Sequence, residues 1–149
     1  MKIIFVVNPE AGKGKGLDKL KEEISRVSEE TGISTGFYLT KSVGDAEAFA
    51  RMAASEVAEN GEEIRFIACG GDGTLNEVVN GIIGFDNAAV GIMPIGTGND
   101  FVRNFSAAGD FMNIEAQLRG ETTKVDAIKY EGVLAGEMQT RYCVNMFNI

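Results

Sequence analysis

Apolar residues come in short bursts separated by amphipathic stretches, and their spacing alternates between continuous runs and a helical period. Ile3-Ile4-Phe5-Val6-Val7 is one continuous run, the pattern of a parallel strand covered on both faces. It opens into Asn8-Pro9-Glu10-Ala11-Gly12-Lys13-Gly14-Lys15-Gly16. Leu17, Leu20, Ile24 and Val27 then recur at helical spacing among charged residues, and Gly32 is placed to end that helix. Thr35 to Leu39 predicts a second strand. Ala46, Phe49, Ala50, Ala53, Ala54 and Val57 mark a second helix, opened by Ser42 or Asp45 and closed near Asn60-Gly61. A third strand from Ile64 to Cys69 meets Gly70-Gly71-Asp72-Gly73, a helix from Thr74 to about Ile83 follows, and a fourth strand spans Ala89 to Met93. Pro94-Ile95-Gly96-Thr97-Gly98 leads through Asn99-Asp100 into a short helix. This rhythm predicts an α/β fold: an open, mainly parallel, Rossmann-like sheet with flanking helices. Beyond Asp110 the rhythm changes. Asp110 is placed to cap a helix through Leu118, and Thr123 to Tyr130 and Gln139 to Phe147 predict a hairpin about a turn from Gly132 to Gly136. The last apolar run has no polar tail, as expected of a piece of a longer chain.

A length of 149 residues suits one domain. Lys and Arg number 14 against 22 Asp and Glu, a net charge of −8, so no global field draws in a nucleic acid. With no histidine, Ser-His and Cys-His arrangements are excluded along with hydrolase triads, the commonest metal-binding imidazole is missing, and no metal-ligating residue is singled out. Cys69 and Cys143 lie far apart in apolar runs, the pattern of reduced core thiols in a cytoplasmic protein. No run reaches the length of a membrane span.

Glycine changes the picture: 19 residues, nearly double the usual fraction of about 7%, concentrated where three predicted strands end. In an open α/β sheet the ligand lies at the carboxyl ends of the strands, where loop N–H groups and helix N-termini favour anions. The three loops therefore imply a phosphate site. Neither GxxxxGK[ST] nor GxGxxG is met, because Asn76 stands where the latter needs its third glycine. Gly70-Gly71-Asp72-Gly73-Thr74 reads in two compatible ways. Thr74 and Glu77 have the spacing of a helix capping box, and three glycines let the backbone approach a polyphosphate while Asp72 manages a magnesium ion or a proton.

Gly70 to Gly81, Asn8 to Gly12 and Pro94 to Phe101 resemble, in order and spacing, the three signatures of the diacylglycerol kinase catalytic domain family, which includes bacterial lipid kinases and sphingosine kinases. GGDGT alone is shared with NAD kinases and, in similar form, with phosphofructokinases, and the resemblance implies the N-terminal fold that these enzymes have in common. It implies ATP-dependent transfer of a γ-phosphoryl group to a lipid hydroxyl, diacylglycerol giving phosphatidic acid. By resemblance the nucleotide lies along Asn8, Pro9, Glu10, Ala11, Gly12, Thr40, Gly70, Gly71, Asp72, Gly73, Thr74, Leu75, Asn76 and Thr97, with Asn99 and Asp100 in or near the cleft, Mg2+ as the companion of ATP, and Asp72 as the candidate base. Lys13 and Lys15 are weaker candidates for neutralising phosphate, and Asp126 matches an aspartate the family often carries. Complete members continue into a second, β-rich, lipid-binding domain that this chain lacks, so residues 1–149 are expected to be the ATP-binding half alone, weakly active or inactive. The expected partners are ATP, a lipid engaged through the missing domain, a transient membrane surface, and a second copy docking at the exposed edge. A non-catalytic nucleotide module and an NAD kinase-like enzyme with a soluble acceptor are the alternatives.

Overall fold

The computed structural model describes residues 1–14, 16–105, 108–134 and 136–145. Four strands, β1 (Lys2–Val7), β2 (Thr35–Leu39), β3 (Ile64–Gly70) and β4 (Ala88–Pro94), form one sheet in the order β2-β1-β3-β4 with every pairing parallel. Side chains alternate across the pleat. Ile3, Phe5, Val7, Ile67, Cys69 and Met93 therefore pack on one face against α1 (Leu17–Thr31) and α4 (Ile114–Arg119). Ile4, Val6, Ile64, Phe66, Ala68 and Ile92 pack on the other against α2 (Asp45–Glu59) and α3 (Asp72–Ile82). Burial on both faces explains why β1 reads as a continuous apolar run and β3 as one interrupted only by Arg65.

The predicted elements form within a residue or two of their expected bounds as far as β4. Gly32 ends α1 in the left-handed conformation, φ +69°. The N-terminus of α2 is set differently from the sequence expectation. It starts at Asp45 after a left-handed Gly44, and neither Ser42 nor Asp45 caps it with a side chain. Asp45 instead accepts from the Lys41 N–H at 2.7 Å and the Tyr38 hydroxyl at 3.0 Å, folding the preceding loop onto itself. Alanines 46, 50, 53 and 54 let α2 lie close to α3, where a Cβ on Gly81 would come within 2.6 Å of the Glu47 carbonyl oxygen.

Past β4 the prediction departs further. The helix expected from Asp110 shortens to α4, which Asn113 caps by accepting from the Ala116 N–H at 3.0 Å, while Asp110 lies in a 3-10 segment, Ala108–Met112. The hairpin forms as β5 (Ile128–Leu134) and β6 (Glu137–Cys143), so Gly132 lies within a strand and Asp126 is exposed ahead of β5. The strand expected as far as Phe147 ends at Cys143, Val144 and Asn145 lying in a bend, and residues 146–147 lie outside the described residues.

Polar side chains reaching across the fold hold these later elements. Arg65, buried in β3, donates from Nη1 to the carbonyls of Gln117 and Leu118 at 3.0 and 3.1 Å, satisfying the C-terminus of α4. Gln117 donates to Ile92 on the sheet-edge strand at 2.8 Å. Asn80 grips β6 as a backbone partner would: Oδ1 accepts from the Tyr142 N–H at 2.9 Å and Nδ2 donates to the Tyr142 carbonyl at 2.8 Å. Among the described residues, no helix is long and apolar enough to cross a membrane.

Candidate active site

Parallel pairing brings Val7, Leu39, Cys69 and Met93 into register, so the loops after all four strands leave the sheet at one level. The chain turns from β1 to β2 on one side and then to β3 on the other. This reversal opens a crevice beyond the ends of β1 and β3, the usual ligand position in such sheets.

The first loop is tied into this edge by its own backbone. The Asn8 N–H donates to Cys69 at 3.0 Å, and Asn8 Oδ1 accepts from the Glu10 N–H at 3.0 Å, which bends the chain back. Gly12, Lys13 and Gly14 then run left-handed at φ +62°, +62° and +68°. Lys13 is exposed and strained there, because a side chain at positive φ crowds its own backbone. Thr40 hangs beside this loop, its N–H donating to Val7 at 2.9 Å. Lys15 lies outside the described residues.

The second and third loops are knotted together. The Gly96 N–H donates to Gly70 at 3.1 Å, and a Cβ on Gly96 would fall 2.5 Å from the Gly71 Cα. A Cβ on Gly70 would collide with the Thr74 hydroxyl. Glycine is thus required at 96 for loop to cross loop and at 70 to leave room for Thr74, whereas a Cβ on Gly73 meets nothing within 4 Å. Asn99, left-handed at φ +57°, turns its amide inward to the carbonyls of Pro94 and Gly96, at 3.1 and 2.7 Å. The Asp100 carboxylate pairs with Arg103 at 2.7 Å. Asp72, in the first turn of α3, accepts from the Asp100 N–H at Oδ2, 2.9 Å, and from the Phe101 N–H at Oδ1, 3.0 Å.

The capping box is not formed. α3 begins two residues before Thr74, at Asp72, with Gly71 as an extended cap and no side-chain bond. Thr74 is buried under Gly70, and Glu77 accepts instead from the Ala46 N–H at 3.2 Å, at the start of α2. Leu75 is buried in the core, and its N–H donates to the Gly71 carbonyl at 3.2 Å, closing the first turn of α3. Asn76 directs its amide to Asn145 at 3.3 Å. The initial N–H groups of a helix have no intrahelical partner, so the first turn of α3 offers donors beside the open ground at Gly73.

A cavity of about 350 Å³ lies between the first loop, the β2–α2 loop and α3, with Asn8, Pro9, Glu10, Thr40, Val43, Thr74 and Glu77 in its wall. Another, of about 290 Å³ and lined mostly by apolar side chains, lies behind the first loop among Gly12, Leu17, Met93, Ile95 and Ile114. The structure thus brings Asn8 to Gly12, Thr40, Gly70 to Asn76 and an exposed Thr97 to one edge of the sheet. Cys69, just beneath, is free, and burial pushes its thiol pKa up. The linking roles of Glu77, Asn99 and Asn80 had no signal in spacing, since each depends on a partner set by the folded loops.

These features define a parallel α/β domain with its ligand edge at the carboxyl ends of the strands. A sequence profile of the diacylglycerol kinase catalytic domain matches residues 2–130, and the chain belongs to that family. Diacylglycerol kinases from Staphylococcus aureus strains RF122 and MRSA252 are each 37% identical over 144 residues, covering 95% of this chain and 41% of theirs. A crystal structure of a diacylglycerol kinase from Bacillus anthracis strain Sterne superposes with a TM-score of 0.65 at 26% identity, over 92% of this chain and 47% of that one. The chain therefore spans about two-fifths of the length of the curated relatives it matches.

Proposed function

We propose that this chain is the nucleotide-binding part of an ATP-dependent lipid kinase that converts diacylglycerol to phosphatidic acid. The acceptor hydroxyl oxygen bonds to the γ-phosphorus, the bond from that phosphorus to the β–γ bridging oxygen breaks, ADP leaves, and the hydroxyl proton passes to a base. One observation carries this reading. The glycine-bearing loops of β1, β3 and β4 share one edge beside an uncapped helix N-terminus with open ground at Gly73, and such a terminus attracts phosphate. The nucleotide runs along Asn8, Pro9, Glu10, Ala11 and Gly12, past Thr40, to Gly70–Asn76, with the Thr97 hydroxyl facing the phosphates. Thr74 serves through its N–H, since its side chain is buried, while Leu75 donates its N–H to the Gly71 carbonyl at 3.2 Å and anchors the turn from the core.

Among the described residues no group of three acidic or thiol side chains could hold a metal ion. Mg2+ is assigned to the triphosphate, arriving as Mg-ATP, as the use of ATP by kinases implies. The acceptor-binding wall and a transient membrane contact are assigned to the span that the relatives have beyond the match, a homodimer contact to the exposed edge of this chain, and the protein to the cytoplasm. Labelled γ-phosphate from ATP, offered micellar diacylglycerol with NAD as a soluble competitor, tests the activity. Slow ATP-dependent labelling of phosphatidic acid is the expected outcome. Label in NADP would move the chain to a soluble-acceptor kinase, and saturable ATP binding with no transfer to either acceptor, by this chain and by its full-length parent alike, would favour a non-catalytic module.

A further inference from the structure

The geometry points to Asp72 as a positioning residue that holds the third glycine loop against the second, and not as the proton acceptor of the transfer. Each of its carboxylate oxygens is already engaged by backbone: Oδ2 by the Asp100 N–H at 2.9 Å and Oδ1 by the Phe101 N–H at 3.0 Å. Those two amides open the 3-10 turn Phe101–Asn104, where main-chain donors lack partners of their own. A charged acceptor shared by two amides is a strong and geometrically exacting contact.

The contact is the hub of a small network. Asn99, held left-handed just before Asp100, staples the same loop through the carbonyls of Pro94 and Gly96. The Gly96 N–H then returns to Gly70, one residue before the cap of α3. A Cβ on Gly98 would lie 3.4 Å from Asp72 Oδ2, so the loop wraps the carboxylate. Each oxygen keeps a second lone pair, but the two amide bonds turn the carboxylate toward the loop that carries Thr97, whereas a general base must be aimed at the acceptor hydroxyl. Asp72 therefore sets where Thr97 stands relative to the N-terminus of α3. Its substitution acts first on nucleotide affinity, not on proton transfer.

The inference rests on the nucleotide reading for its functional half, and the test separates the two. Amide exchange and amide proton shifts are recorded by NMR on the 149-residue chain and on Asp72→Asn and Asp72→Ala, and Mg-ATP affinity is measured on the same samples. In the parent chain the Asp100 and Phe101 amides are expected downfield and protected. In Asp72→Ala both lose about tenfold or more of their protection while β3 keeps its own, and ATP affinity falls by about tenfold. Asp72→Asn, which keeps one carbonyl acceptor, should retain one of the two protected amides and fall between. Asp100 and Phe101 amides that exchange equally fast with and without the carboxylate would overturn the proposal. So would ATP binding to Asp72→Ala at the affinity of the parent, the behaviour of a base that touches only the acceptor. A parent chain that binds no ATP would defeat the nucleotide reading, and the amides alone would still decide whether the clamp exists.

Discussion

Gly96, in the third loop, and Gly73, in the first turn of α3, border one site and are glycine for different reasons. At Gly96 the Gly71 Cα occupies the position of a side chain, whereas Gly73 faces open space in the first turn of α3. Gly96→Ala should therefore lower stability by about 1–3 kcal/mol, the usual effect of overpacking, read as a drop in the urea midpoint. Gly73→Ala should leave stability unchanged or raise it by up to about 1 kcal/mol, since alanine is the better helix former. Cys69 supplies a second prediction at this scale. Burial raises its folded-state pKa far above the ordinary thiol value of 9.0, so between pH 9 and 10 only the unfolded chain ionises there. A raised folded pKa contributes stability that is complete below the unfolded value and is lost as pH rises, at up to about 1.4 kcal/mol per pH unit for one group. Urea melts across that window should show this loss, and Cys69→Ala should flatten it from a lower starting stability. The run of apolar residues around Cys69 already implied a core thiol. The crossing of Gly96 over Gly71 was not legible, because it joins loops that are separate in sequence.

At the scale of elements, strands and helices as far as β4 were readable because each carries its own period, doubly buried for β1 and β3 and amphipathic for α1. The hairpin and α4 were misplaced because their bounds are set from outside. Arg65 reaches 52 residues to the end of α4, and Asn80 reaches 62 residues to Tyr142, distances at which no local pattern reports a partner. Asn80→Leu keeps a similar volume but strips both partners from the Tyr142 backbone. It should lower stability by about 2–4 kcal/mol, measured by urea unfolding. In the same variant the amides of β6 should lose protection before those of β3, because β6 is held to α3 through this residue.

For the whole molecule, the sheet order and the level strand ends create the site. The switch between β1 and β3 makes a crevice, three glycine loops border it, and α3 points its N-terminus there. That edge was legible in the sequence, since the glycine turns fall after the apolar runs and parallel strands must end together. The orientation of Asp72, Asn99 and Glu77 was not, because the same residue types suit either a ligand or a neighbouring loop and only the fold decides. Stability should also be graded across the molecule. β3, central and buried along its length, should exchange its amides only on global opening. β5, whose strand partner is β6 in a two-stranded sheet, should exchange about a hundredfold faster or more.

Calorimetric titration of the chain with Mg-ATP, beside Gly73→Glu, tests the nucleotide site most directly. A glutamate there meets no protein atom within 4 Å of its Cβ and favours a helix N-terminus, so the fold is kept while charge and bulk enter the proposed phosphate path. The expected result is saturable binding by the parent chain and at least tenfold weaker binding by a variant that melts no earlier. Equal affinity in both would place the nucleotide away from the first turn of α3 and contradict the site described above.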